Sequence, residues 1–178
     1  MRYVKLPLGN FESFFESLKQ WGEVHAPVKR GNIYSFERVE SLREVSLDYT
    51  RTVLPPKKYF VRPREELLKL KNDRWIECIE AKPIVLFGVH SCDIHGIRIL
   101  DEAYLAEPAD PYYKKRRESA VIIGISCMPD EYCFCKSLGT DFAMDGFDLF
   151  LHQLPDGYLV RVRSFKGHEI VWARKELF

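Results

Sequence analysis

Four of the five cysteines gather in two short phrases. Cys92 lies in HSCD (90–93), and Cys127, Cys133 and Cys135 form a C-x5-C-x-C pattern within SCMPDEYCFC (126–135). Thiolates are soft ligands, and four brought to one place would suit a [4Fe-4S] cluster or a structural zinc. The spacing is neither the C-x2-C-x2-C-x3-C run of ferredoxins nor a pair of C-x2-C zinc knuckles. The C-x-C bite holds two sulfurs close, which fits neighbouring irons better than a relaxed tetrahedral zinc. Two alternatives stay open: buried unligated thiols, or a disulfide between Cys127 and one of Cys133 or Cys135. Cys78, in WIECIE (75–80), stands apart and reads as a packing position of a strand or helix.

Beside Cys92 stand His90, Asp93 and His95. An imidazole and a carboxylate there could complete a mixed ligand shell or carry protons. An Asp at a helix start is more often a cap, and that is the reading taken for Asp93. His25, His152 and His168 have no partner at a telling spacing. None of the glycine-rich nucleotide motifs, the zinc-protease helix motif or the serine-hydrolase elbow occurs, so no enzymatic constellation is marked.

The elements that must position these groups are legible in the hydrophobic pattern. Ile84–Val89 (IVLFGV) and Val121–Ile125 (VIIGI) are apolar runs expected of strands covered on both faces. Between them, Ile94, Ile97, Leu100 and Tyr104 share one helical face, followed by Pro108, Pro111 and the basic run Lys114–Arg117. Strand, helix, strand predicts a parallel crossover that delivers Cys92 and Cys127 to the carboxyl edge of one sheet, where open α/β sheets hold ligands. Upstream, a short strand at Tyr3–Leu6 precedes a helix carrying Phe11, Phe14, Phe15, Leu18 and Trp21, with Asn10 as N-cap and Gly22 as its stop. Alternation at Val45, Leu47 and Tyr49 predicts a strand with one wet face. The prolines at 55, 56 and 63 break the chain around Lys57, Lys58, Arg62 and Arg64, which read as a solvated edge with Tyr59 and Phe60 turned inward rather than as a docking surface for an acidic partner or phosphate. The last third reads as antiparallel: Phe147–Leu151 and Tyr158–Val162 flank the Pro155-Asp156-Gly157 turn, with Ile170–Trp172 as one further strand. The expected fold is α+β: one domain over residues 1–178, with a mixed β-sheet, a central parallel βαβ unit and flanking antiparallel hairpins.

Composition narrows the function classes. With 178 residues and 46% hydrophobic content the chain can bury a core without disulfide staples. Lys plus Arg is 27 against 26 for Asp plus Glu, a balance that places phosphate-neutralising nucleic-acid binding behind other readings. No apolar run approaches the roughly 18 residues that span a bilayer, and the start lacks a secretory apolar region, so a cytoplasmic location is expected. Gln occurs only at 20 and 153 and Asn only at 10, 32 and 72, the thermophile's bias against labile amides.

The long phrases carry a resemblance. GVHSCDIHGIRILDEAYL (88–105) and DPYYKKRRESAVIIGISCMPDEYCFCKSLGTDFAMDGFDLFLHQLPDGYLVRV (110–162), with TVLPPKKYFVRPRE (52–65) and the initial MRYVKLP, resemble the beta subunit of soluble archaeal NiFe sulfhydrogenases. A weaker likeness extends to anaerobic sulfite reductase. The resemblance implies a cytoplasmic oxidoreductase complex exchanging electrons between hydrogen, NADP(H) and polysulfide. Its implied partners are NiFe catalytic, small iron-sulfur and flavin subunits. In that family the beta subunit holds two ferredoxin-type [4Fe-4S] clusters beyond the region matched here, and this chain lacks their cysteine run. The expectation is therefore the N-terminal docking domain of an electron-transfer subunit, non-catalytic by itself, with Cys92, Cys127, Cys133 and Cys135 as candidate ligands of one centre. A metal-free or zinc-stapled interaction scaffold is the alternative. An independent thiol switch at Cys133 or Cys135 ranks last, because no cation or base is fixed beside them in sequence.

Overall fold

A computed structural model describes residues 2–178. At its centre the two apolar runs form β6 (Ile84–Val89) and β7 (Ala120–Ile125), paired in parallel. The full chain order is β1 (Arg2–Pro7), α1 (Phe11–Leu18), β2 (Glu23–Arg30), β3 (Ile33–Arg38), β4 (Leu68–Lys71), β5 (Arg74–Glu77), β6, α2 (Ser91–Tyr104), α3 (Pro111–Ser119), β7, α4 (Cys135–Leu138), β8 (Leu149–Leu154), β9 (Gly157–Val162) and α5 (Phe165–Ala173). Seven strands form one sheet in the order β1-β9-β8-β7-β6-β2-β3. Its middle, β2-β6-β7-β8, is parallel throughout, and antiparallel pairs β2–β3, β8–β9 and β1–β9 close the two flanks. The expected mixed sheet with a central βαβ unit and flanking hairpins is the observed fold.

Strand alternation divides the core between the two faces. Val85, Phe87, Val121, Ile123 and Ile125 face α1 and α5, meeting Phe14, Phe15, Leu18, Ile170 and Val171. Leu86 and Ile122 face the other way, against Ile94 and Ile97 of α2 and Tyr113 of α3. Period-2 alternation would put Val89 with Phe87, but a register irregularity between Phe87 and Val89 sends it to the Leu86 face. Gly88 makes this possible, with φ of +81°. The hydroxyl of buried Tyr49 donates to the Gly88 carbonyl at 2.8 Å.

Several expectations are corrected. Residues 45–49 are not a strand: the segment crosses beneath β2, where the Ser46 amide donates to the Pro27 carbonyl at 2.8 Å, and its apolar side chains fill the core without a ladder. Ile170–Trp172 belongs to helix α5, not a strand. There the Ser164 hydroxyl caps the first turn by accepting from the Gly167 amide at 2.9 Å. A cap and one-sided burial outweigh the β-branched composition. The last third is only partly antiparallel, since β8 also pairs with β7 in parallel. Lys114–Arg117 lies on α3, an element the pattern does not announce. Asn10 holds the N-cap position of α1, yet its side-chain amide donates to the Leu177 carbonyl at 2.8 Å and ties down the C-terminus.

A two-stranded hairpin, β4–β5, stands outside the main sheet, and no pattern in the sequence announces it. Asn72 and Asp73, both at positive φ, make its two-residue turn. Cross-strand register puts Leu68, Leu70, Trp75 and Glu77 on one face and Lys69, Lys71, Arg74 and Ile76 on the other. All eight strand residues are exposed, and Cys78, just beyond β5, is half-buried beside the hairpin rather than packed in the core.

Candidate thiol centre at the carboxyl edge of the sheet

The parallel pairing brings Cys92 and the 127–135 loop to the same edge. Cys92 is the second residue of α2, directly after β6, and Cys127 follows the end of β7. The Ser126 amide donates to the Leu151 carbonyl at 3.0 Å, fixing the entry of the loop against β8. Within the loop, the Asp130 carboxylate accepts from the Tyr132 amide at 2.9 Å and from the Cys133 thiol at 3.2 Å. Arg51 pairs with the same carboxylate and stacks over Tyr132 with its guanidinium 5.4 Å from the ring centre. Cys135 opens the short helix α4, which Gly139 ends in a left-handed conformation.

The thiols sense each other electrostatically. Cys92 keeps an exposed surface, yet the protein packed behind it and the charges of Asp93, Cys127 and Cys135 push its thiol above the ordinary value. Cys127 is raised by burial, then by Cys135 and Cys133. At Cys133 the Asp130 backbone pulls the thiol down, but the bond to the Asp130 carboxylate, desolvation and the charges of Asp130 and Cys135 together raise it. Sulfurs that resist ionisation together lack a compensating cation, which is what a bound metal ion or cluster supplies to a thiolate set. The donor set fits such a group in kind and number. In arrangement it is open: among the described residues no three His, Cys, Asp or Glu side chains stand close enough to hold one ion. All five cysteines are free thiols, so no disulfide joins Cys127 to Cys133 or Cys135.

The residues flanking Cys92 take distinct roles. His90, not Asp93, occupies the N-cap position of α2, and neither side chain makes a capping hydrogen bond. Asp93 sits in the first turn, where burial raises its carboxyl to about 6, with Lys57 opposing. The expected cap is thus a half-buried acid. His90 is almost fully buried and lies flat on the Tyr49 ring, centroids 3.9 Å apart. Burial lowers it to about 4, and its Nε2 has no hydrogen-bond partner among the described residues. His95 points elsewhere, its Nε2–H donating to the Phe142 carbonyl at 2.9 Å.

Two contributors are not visible in the sequence pattern. Tyr49 lies close enough to Asp93, Cys92 and Cys127 for their charges to raise its hydroxyl, after burial, well above the ordinary value. Arg161 is buried on β9 with its guanidinium 4.5, 4.8 and 5.2 Å from the rings of Phe142, Phe147 and Phe150. It also donates to the Ala143 carbonyl, so together with His95 it clamps the segment that follows the thiol loop. An arginine at an inward position of strand alternation was the available signal.

Around the thiols, Met128, Tyr132, Phe134 and Leu138 are largely exposed, an apolar collar unusual for a free surface. The whole chain, including this edge, is 62% identical over 178 residues to sulfhydrogenase 2 subunit beta of Pyrococcus furiosus. The relationship runs along every element described above. The chain spans 53% of that subunit's length, about half. No protein-family model matches the chain, and no solved structure does. No helix among the described residues is long and apolar enough to cross a membrane.

Proposed function

We propose that this chain is the N-terminal docking domain of a hydrogenase-associated iron-sulfur beta subunit, working in a cytoplasmic complex with NiFe catalytic, small iron-sulfur and flavin subunits. Identity over all 178 residues to a sulfhydrogenase beta subunit is the observation that carries this reading. The exposed apolar collar and the exposed β4–β5 hairpin support a docking role, since both leave large side chains in water. No catalysis is expected from this chain alone.

Cys92, Cys127, Cys133 and Cys135 are proposed to hold one thiolate-ligated centre, a [4Fe-4S] cluster or a zinc. A cluster would supply one-electron transfer, and a zinc would supply a structural staple. The chain's own part is to bring the two cysteine phrases to one sheet edge, to orient Cys133 through Asp130 and Arg51, and to hold the loop entry against β8. A metal-free scaffold is the second reading, favoured by the absence of a closed ligand geometry among the described residues.

The test is iron, zinc and acid-labile sulfide per chain on protein purified without oxygen, beside a thiol count. About four irons and four sulfides support a cluster; about one zinc supports a staple. Neither metal, with all thiols free, overturns the ligand set and leaves the scaffold.

A further inference from the structure

At the opposite end of the sheet, where β2 and β6 begin, a cavity of about 230 Å³ opens between the strands and the basic segment 57–62. Its charge is lopsided. Lys58, Arg62, Lys82 and Arg116 line it, against Glu23 as the one carboxylate of the lining.

The cations differ in how far they are neutralised. Arg116 is buried and satisfied, its Nε–H donating to the Phe60 carbonyl at 2.8 Å and its guanidinium paired with Glu65. Arg62 reaches the exposed Glu80 at 3.3 Å. Lys58 has the Phe36 carbonyl at 2.7 Å and the face of the Tyr59 ring, 5.2 Å from its centre, both uncharged partners, and burial lowers its pKa, with a weaker opposing effect of Glu37. Neither Lys58 nor Lys82 has a carboxylate within ion-pair distance among the described residues. Glu23 is itself engaged by Arg38 at 3.6 Å and faces His25 Nε2 at 3.8 Å. A part-buried ammonium whose partners are uncharged is stabilised by any anion that enters.

The hydrogen bonds add a second requirement. The Tyr59 hydroxyl donates to the Phe36 carbonyl at 3.0 Å, so its 2.9 Å contact with His25 Nδ1 must be accepted from the ring. In the neutral ring the proton is then on Nδ1, and Nε2 presents a lone pair beside Glu23. Two acceptors side by side favour a ligand that brings its own proton.

We propose that this cavity binds a small protonated oxyanion of the hydrogen phosphate type, with its negative oxygens toward Lys58 and Lys82 and its hydroxyl toward His25 and Glu23. The volume is below the range that holds drug-sized ligands, which suits a phosphate-sized group. The site lies at the amino ends of the parallel strands and does not rest on the thiol reading.

The experiment is calorimetric titration of the full chain with inorganic phosphate and, separately, with sulfate, at constant ionic strength. Saturable phosphate binding at concentrations on the order of 10 mM or lower is expected, with sulfate weaker. Lys58→Gln and Lys82→Gln should each weaken phosphate about tenfold. Lys166→Gln, on α5, should leave it unchanged. Lys82 is exposed, so its variant keeps the fold even where Lys58→Gln does not. The absence of saturable phosphate binding, or an equal loss from Lys166→Gln, overturns the site. Equal affinity for sulfate overturns the assigned roles of His25 and Glu23.

Discussion

The two ends of the parallel strands are built from opposite materials. The carboxyl edge gathers acids that resist ionisation: the thiols of exposed Cys92 and half-buried Cys127 and the Asp93 carboxyl are all held above their ordinary pKa values by the surrounding protein and, for the thiols, by one another's charge. The amino end gathers cations, with Lys58 held below its ordinary value by burial. One edge therefore leaves its thiols without a compensating cation of their own, and the other leaves Lys58 and Lys82 without a carboxylate partner among the described residues. The lesson is that the same sheet can carry two electrostatically unfinished sites because its strands separate them by their length.

The largest effect that would break this contrast is loss of the thiol set. Cys92→Ser or Cys135→Ser should each abolish metal retention, measured as iron or zinc per chain, whereas Cys78→Ser beside the exposed hairpin should leave it intact. Equal loss from Cys78→Ser would show that the edge is not the site.

Next come the glycines that shape each end. A Cβ at Gly22 would lie 2.5 Å from the Pro83 backbone carbon, at a φ of +152°. Gly22→Ala should cost about 3 kcal/mol or more in chemical denaturation, because backbone must move where β2 meets β6. A Cβ at Gly88, on the thiol side, would crowd the flexible end of Leu47 at 2.8 Å and touch the Pro27 ring at 3.5 Å, at a φ of +81°. Gly88→Ala should cost less, about 1–2 kcal/mol. The reverse order would show that the Gly22–Pro83 backbone approach at the start of β2 and β6 yields more readily than the Gly88 contact.

Protonation gives a smaller and signed effect. Asp93 titrates at about 6 when folded, so the native state holds its proton more tightly than the unfolded chain does. Stability from this group falls as pH rises from roughly 4 to about 6, and Asp93→Asn should be more stable than the parent at pH 8 by about 1–2 kcal/mol. That advantage should vanish near pH 4. His90 works the other way: lowered to about 4, it weakens the fold as pH drops from about 6.5. With Asp93 replaced, acid destabilisation over that window should therefore steepen, as read by denaturant midpoints across pH. The smallest effect belongs to the amino-end rim. Arg62→Ala should change stability by no more than about 0.5 kcal/mol, since its pairing with Glu80 is solvent-exposed.

Much of the scaffold was readable from pattern alone. Unbroken apolar runs announced β6 and β7, and the spacing of Phe11, Phe14, Phe15 and Leu18 announced α1, because burial on two faces and on one stripe leave different periods. Composition misled where local chemistry decided otherwise. Ile170–Val171–Trp172 looks like a strand, yet Ser164 caps a helix and Gly167 tucks against the Asp148 carbonyl, where a Cβ would sit 2.3 Å away. The 45–49 alternation predicts a strand, but in the fold it packs Val45 and Leu47 on the core and ties Tyr49 to the Gly88 carbonyl without joining a ladder. The hairpin at 68–77 was missed because its strands are exposed on both faces and so carry no burial signature.

The candidate sites divide in the same way. Residue types and spacing along the chain determined which groups could act: four soft thiols in two phrases, and a parallel crossover that must deliver both phrases to one edge. Only the tertiary structure decided that Tyr49 and His90 stack behind those thiols, that Arg161 clamps the following segment through an aromatic cage, and that Lys58, Lys82, His25 and Glu23 share one cavity. Those residues are far apart in sequence, and no local period or spacing encodes which distant side chains desolvate, pair with or leave unpaired one another.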